Sequence, residues 1–187
     1  MYFYIKLKIM EKTDIQYLKE AYAKARNKYK PSHIRTLLIA EAPPCNLDRF
    51  FYFEDVKVQD SLFLEIMGVL YPDKKRRFLA AGRPLAGKKE LLEMFQEDGY
   101  LLLDLYEVPD DLFYVPREES VAALLRRLER LIDKSTPIIL IKTNVFDLCY
   151  PVLIENGYNV SNERLPFPGS GQQKVFREKF AKVLNGL

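Results

Sequence analysis

Three short runs constrain this chain more than any other feature: Thr36–Ala40, Tyr100–Tyr106 and Pro137–Lys142. Each is too short for a helix and apolar almost throughout, with no alternation of polar and apolar residues. That is the pattern of strands covered on both faces, as in a parallel sheet. Long stretches of helical periodicity separate them, and strands alternating with helices imply crossover connections and a parallel sheet. A shorter fourth strand is expected near Tyr158 to Val160. The reading is an α/β fold, a three-layer α/β/α sandwich with a central four-stranded parallel sheet.

The helical stretches have their own punctuation. Thr13 and Asp14 suit the start of a helix running to about Lys28, carrying Ile15, Leu18, Tyr22 and Ala25 and stopped by Pro31. Asp60 or Ser61 is expected to cap a helix through Leu62, Phe63, Ile66 and Met67 that ends before Pro72. Asp73 to Arg77 reads as a charged bend. A helix from about Lys88 to Asp98 closes at Gly99, and an amphipathic helix spans Glu118 to Asp133. Thr143 and Asn144 open a stretch to Asn156, disturbed by Pro151 and closed by Gly157. Ser170 and Gln173 have capping-box spacing for a last helix to about Leu184. Four adjacent aromatics, Phe50 to Phe53, cannot all point into one core face if extended.

Composition narrows the chemistry. The 187 residues suit one domain, 1–187, with 1–33 as an N-terminal strand and helix extension. Lys and Arg number 29 against 26 Asp and Glu, a net charge of +3 that excludes a polycation but allows a local basic patch. One His and two Cys exclude a His-rich zinc site, a four-Cys cluster, and any Ser–His–Asp triad not built on His33. No metal and no cofactor are expected. Lys6 and Lys8 interrupt the apolar start, so no signal peptide is read. No run approaches the ~18 apolar residues of a membrane span. Cys45 and Cys149 suit reduced thiols. The expectation is a cytoplasmic monomer without a membrane partner.

Parallel sheets bind ligands beyond the carboxyl ends of their strands. There the chain carries Glu41 after the first strand, Asp104 inside the second, Lys142 to Asn144 after the third, and Leu165 to Ser170 after the fourth. Asp104 interrupts a leucine run, and a buried carboxylate needs partners or a function. It reads equally as a structural cap or as a ligand-binding group. Glu41 reads as a turn contact or, with Asp104, as a general base beside a recognition group. The segment Pro166-Phe167-Pro168-Gly169-Ser170-Gly171 reads as a plain turn or as an anion-binding helix start through the amides of Gly169 to Gln172. Lys142, Arg164, Lys174 and Arg177 read as a solvated surface or as a phosphate-contacting face.

The order of these motifs resembles the uracil-DNA glycosylase superfamily across residues 34 to 184. Leu38-Ile39-Ala40-Glu41-Ala42-Pro43-Pro44 resembles its Gly-Glu-Ala-Pro-Gly water-activating motif. Tyr100 to Tyr106 resembles the strand bearing its base-recognising Asn, with Asp104 at that place. Pro137 to Asn144 resembles its third strand and following loop. Leu165-Pro166-Phe167-Pro168-Gly169-Ser170 resembles the His-Pro-Ser-Pro loop that enters the DNA minor groove, and Phe50 to Phe53 sit where that superfamily stacks a side chain on the flipped base. The resemblance implies a DNA partner, base flipping, and hydrolysis of an N-glycosidic bond. It implies Glu41 and Asp104 as catalytic residues, with Ala42, Pro43, Phe53 and Asn144 in the base pocket. Arg164, Leu165, Pro166, Phe167, Pro168, Gly169 and Ser170 would contact nucleic acid.

The departures from that superfamily are specific. Leu165 stands where its loop His would be, which removes a donor worth roughly 2.7–4 kcal/mol by analogy with oxyanion sites. Ala42 stands where some members keep a catalytic Asp. Asp104 replaces Asn, and an ionised Asp only accepts hydrogen bonds, whereas uracil shows a donor at N3 and an acceptor at O4. Uracil is therefore not expected to be the preferred base unless burial protonates Asp104. Two Cys cannot supply the iron–sulfur cluster of some branches. Three readings follow: a glycosylase-like hydrolase acting on a damaged or modified base, a catalytically inactive nucleic-acid-binding member of the fold, or an α/β protein that binds a small ligand or a partner.

Overall fold

The computed structural model describes residues 12–44, 49–58, 60–109, 116–169 and 171–187. The expected N-terminal strand, Cys45 and Ser170 lie outside the described residues. Among those described, seven helices and three strands form a mixed α/β fold. Helix α1 spans Lys12–Lys28, β1 Thr36–Ala40, α2 Ser61–Leu70, α3 Pro72–Ala80 and α4 Leu85–Glu97. They are followed by β2 Tyr100–Asp104, α5 Arg117–Leu128, β3 Ile138–Leu140, α6 Thr143–Glu155 and α7 Gln173–Leu184.

The sheet is parallel, in the order β2-β1-β3. Ala40 pairs with Asp104 on one side of β1, and Ile39 pairs with Leu140 on the other. Every residue of β1 is buried, as its unbroken apolarity requires. The chain thus leaves β1 first to one side and later to the other, which makes the carboxyl end of β1 a topological switch point.

The four-stranded sheet is not seen. The segment near Tyr158 to Val160 meets β3 only as an isolated bridge, Ile138 to Val160, and Leu165 forms another with Ile141. The Ile138 amide donates to the Asn159 carbonyl and the Ser161 amide to the Ile138 carbonyl, but the Asn159 amide turns to Lys134 in the β3 approach. The peptide follows the β3 edge without building a ladder.

Other boundaries moved for physical reasons. Asp73 to Arg77, read as a bend, lies inside α3 because Pro72 occupies a first-turn position, where its missing N–H costs nothing, and Phe78 anchors the helix in the core. Helix α4 begins at Leu85 rather than near Lys88. Helix α5 stops at Leu128, although Leu131 and Ile132 still pack against the core. Thr13 and Asp14 fall in the first turn of α1 and not before it. Asp60 precedes α2 without a side-chain cap. Gln172 likewise precedes α7 without one. Gly99 does close α4: its φ is +78°, and its carbonyl accepts the Arg35 and Thr36 amides at the entry to β1.

The aromatic cluster is the largest surprise of packing. Phe50, Phe51 and Tyr52 are all buried, because the segment is a turn, closed by the Phe53 amide on the Phe50 carbonyl, and not a strand. A turn fans its side chains in three directions. Phe51 meets Phe63 and Phe95 edge-on, while Phe53 stacks on Tyr22.

Candidate active-site cleft

A cleft of about 380 Å³ opens at the carboxyl ends of β1 and β2. That is within the range of small-molecule sites, roughly 300–1,000 Å³. Its walls carry Glu41, Ala42, Pro43, Asp104, Lys142 and Phe167, which come from four separate parts of the chain. Backbone hydrogen bonds hold them together: the Leu105 amide donates to the Ala40 carbonyl, Tyr106 to Glu41, and Ile141 to Ile39. The Tyr22 hydroxyl of α1 donates to the Pro44 carbonyl at 2.6 Å and fixes the loop that follows β1.

Glu41 is held at both oxygens. Lys142 Nζ donates to Oε2 and Asn144 Nδ2 to Oε1. Asn144 also accepts the Val145 amide, so its side chain is oriented from both ends. It does not line the cleft itself but reaches it through Glu41. Lys142 has φ +85° and ψ +134°, outside the left-handed basin and open essentially to glycine alone. Such a conformation costs roughly 1–3 kcal/mol and persists only where surrounding structure imposes it.

Asp104 lies at the cleft floor, 5% exposed. Burial raises its pKa to about 7, opposed by the fields of Arg26 and Arg127. No ion pair to its carboxylate is seen among the described residues. Arg127 instead gives its two terminal nitrogens to the Asp104 and Leu105 carbonyls, at 2.9 and 2.7 Å. The Tyr52 hydroxyl bridges the Leu102 amide and carbonyl, so the aromatic turn fixes β2 two residues before Asp104. At neutral pH a good part of Asp104 is protonated, and a carboxylic acid both donates and accepts, as an amide does.

A third carboxylate, Asp60, also lines the cleft. It accepts from Lys88 Nζ at 2.6 Å, and Lys88 is wholly buried with its ammonium 4.4 Å from the Phe63 ring centre. Burial outweighs the pairing for both partners: Asp60 is pushed up to about 6 and Lys88 is lowered. The sequence reading gave Arg127 and Lys88 no part in the site. Lys88 had a signal, since residues 88, 91, 92 and 95 share one helical stripe and the other three are Leu, Leu and Phe. Arg127 similarly follows Leu124 by three positions.

The remaining expected site residues divide. Phe167 is 43% exposed at the cleft wall, its ring lying over Gly169, where a Cβ would sit 3.0 Å from it. Pro168 is buried and Pro166 half-buried. Leu165 is wholly buried and serves the core. Phe53 lies outside the cleft walls, and Phe50 and Phe51 line them instead. Arg164 points to Asp147 in a two-pronged ion pair. His33 is exposed and outside the cleft. The expected basic face is matched residue for residue by acids: Lys142 by Glu41, Arg164 by Asp147, Lys174 by Glu178 and Arg177 by Glu65.

Among the described residues, no three His, Cys, Asp or Glu side chains cluster as a metal ion would need. No described helix is long and apolar enough to cross a membrane. No family model matches the chain, and neither a curated protein nor a solved structure matches it.

Proposed function

We propose that this chain is a divergent uracil-DNA glycosylase-like protein, an α/β/α sandwich that takes a flipped base into the β1–β2 cleft and hydrolyses its N-glycosidic bond. One observation carries the reading. Glu41, Asp104 and Phe167 are distant in sequence, yet they line one cleft at the switch point of a parallel sheet. In this reading Glu41 orients water and takes its proton as the water oxygen attacks C1′. The electron pair of the C1′–N bond leaves with the base. Asp104 reads the edge of the base, and Phe167 packs against the opened helix.

In this reading the protonation of Asp104 sets the base preference, through the exception under which uracil was expected to fit. A neutral Asp104 matches an N–H beside a carbonyl, so uracil-like edges fit below about pH 7 and lose their match as the carboxyl ionises. A second reading has its own support. Glu41 is tied at both oxygens and Leu165 supplies no polar group, an arrangement that suits binding without hydrolysis.

Mass detection of bases released from a panel of modified oligonucleotides separates the two. Base release that falls roughly 10²–10⁴-fold in Glu41→Ala supports hydrolysis by this cleft. Salt-dependent DNA binding with every base retained supports the non-hydrolysing reading. Neither release nor binding would overturn both.

A further inference from the structure

We infer that Lys142 is a positioning residue, held in a strained backbone so that its ammonium fixes the Glu41 carboxylate in the cleft. The inference rests on the reading of Glu41 as the water-activating group. Three observations carry it. Lys142 combines φ +85° with ψ +134° at the junction of β3 and α6, where glycine would sit without strain. The side chain that this conformation carries lines the cleft and pairs with Glu41. The neighbouring Asn144 takes the other carboxylate oxygen. A lysine kept where glycine is favoured is explained by what its side chain holds.

The consequence for Glu41 is geometric. Each carboxylate oxygen has two lone-pair directions. Lys142 and Asn144 occupy one on each, which fixes the rotation of the carboxylate and leaves the other directions for water. Without Lys142 the carboxylate keeps only the Asn144 contact and turns freely about it.

The test uses the full chain and two variants, Lys142→Gly and Lys142→Arg. Lys142→Gly removes the ammonium and the strain together, so its Tm rises while the kcat of base release falls on the order of 10²-fold, with KM little changed. Lys142→Arg keeps a cation and retains most of the rate. A crystal structure of Lys142→Gly shows Glu41 turned out of its wild-type position. The proposal is overturned if Lys142→Gly keeps the wild-type kcat, or if Glu41 has not moved. If the wild-type chain releases no base from any oligonucleotide, the hydrolytic reading falls. The paired crystal structures then judge Lys142 alone: a displaced Glu41 supports its positioning role, and an unmoved one overturns it.

Discussion

At the scale of single residues, Asp104 shows how burial changes what a side chain can do. An exposed Asp would be ionised at neutral pH and could only accept. At the floor of the cleft, burial outweighs the fields of Arg26 and Arg127, the latter committed to backbone carbonyls, and its pKa rises to about 7. The folded pKa therefore lies above the unfolded one, near 3.9. Between about pH 4 and pH 7 the unfolded chain loses this proton while the native chain keeps it, so stability falls across that window and levels off above it. Asp104→Asn carries no such charge. We predict that it is more stable than the wild type at pH 8, by about 1–3 kcal/mol, and equal to it near pH 4. Urea denaturation at the two pH values checks this, and an equal difference at both would contradict the assignment. The same substitution keeps a donor and an acceptor at every pH. Binding of a uracil-containing oligonucleotide should therefore weaken above pH 7 in the wild type and stay flat in Asp104→Asn.

At the scale of elements, the Asp60–Lys88 pair joins the start of α2 to α4 beneath the cleft. Both charges are buried, so their mutual attraction mainly offsets the cost of leaving water. Removing one partner strands the other. Lys88→Met should destabilise the chain by about 3–5 kcal/mol, while Asp60→Leu combined with Lys88→Met should recover most of that loss. Chemical denaturation of the single and double variants gives the coupling directly. A single variant within about 1 kcal/mol of the wild type would mean that Asp60 finds water or another partner. Elements also decide the fate of motifs. The turn at Phe50–Phe53 drives three rings into the core, and the bridge between Leu165 and Ile141 draws Leu165 inward.

At the scale of the whole molecule, the face expected to meet DNA carries its charge in local pairs. The four cations expected to face DNA each meet a carboxylate, and Glu163 likewise holds Lys179 and Lys182. A phosphate must then displace an acid, and few counterions are released on binding. We predict a shallow salt dependence, with log affinity against log salt near a slope of about −2, where an open basic face of six to ten contacts would give about −5 to −9. Fluorescence anisotropy of a labelled duplex across a salt series measures it, and a slope beyond about −5 would show that these pairs open on binding.

The sequence by itself determined the helix–strand alternation, the parallel direction of the three buried strands and the residues at their carboxyl ends. Continuous apolar runs and helical stripes record burial locally, over a few turns of chain. Glu41 and Asp104 were legible as carboxylates at the carboxyl ends of apolar strands, and Phe167 through the turn residues around it, Pro166, Pro168 and Gly169. Tertiary structure decided what no local pattern carries. It withheld the fourth strand, because pairing at the β3 edge depends on where the Asn159 amide finds its acceptor. It turned four aromatics through a bend, set Lys88 against the Phe63 ring and Arg127 on the Asp104 and Leu105 carbonyls, and gave Glu41 partners 101 and 103 residues away. Hydrogen bonds and ion pairs across such separations depend on three-dimensional proximity, and proximity is fixed only when the core closes.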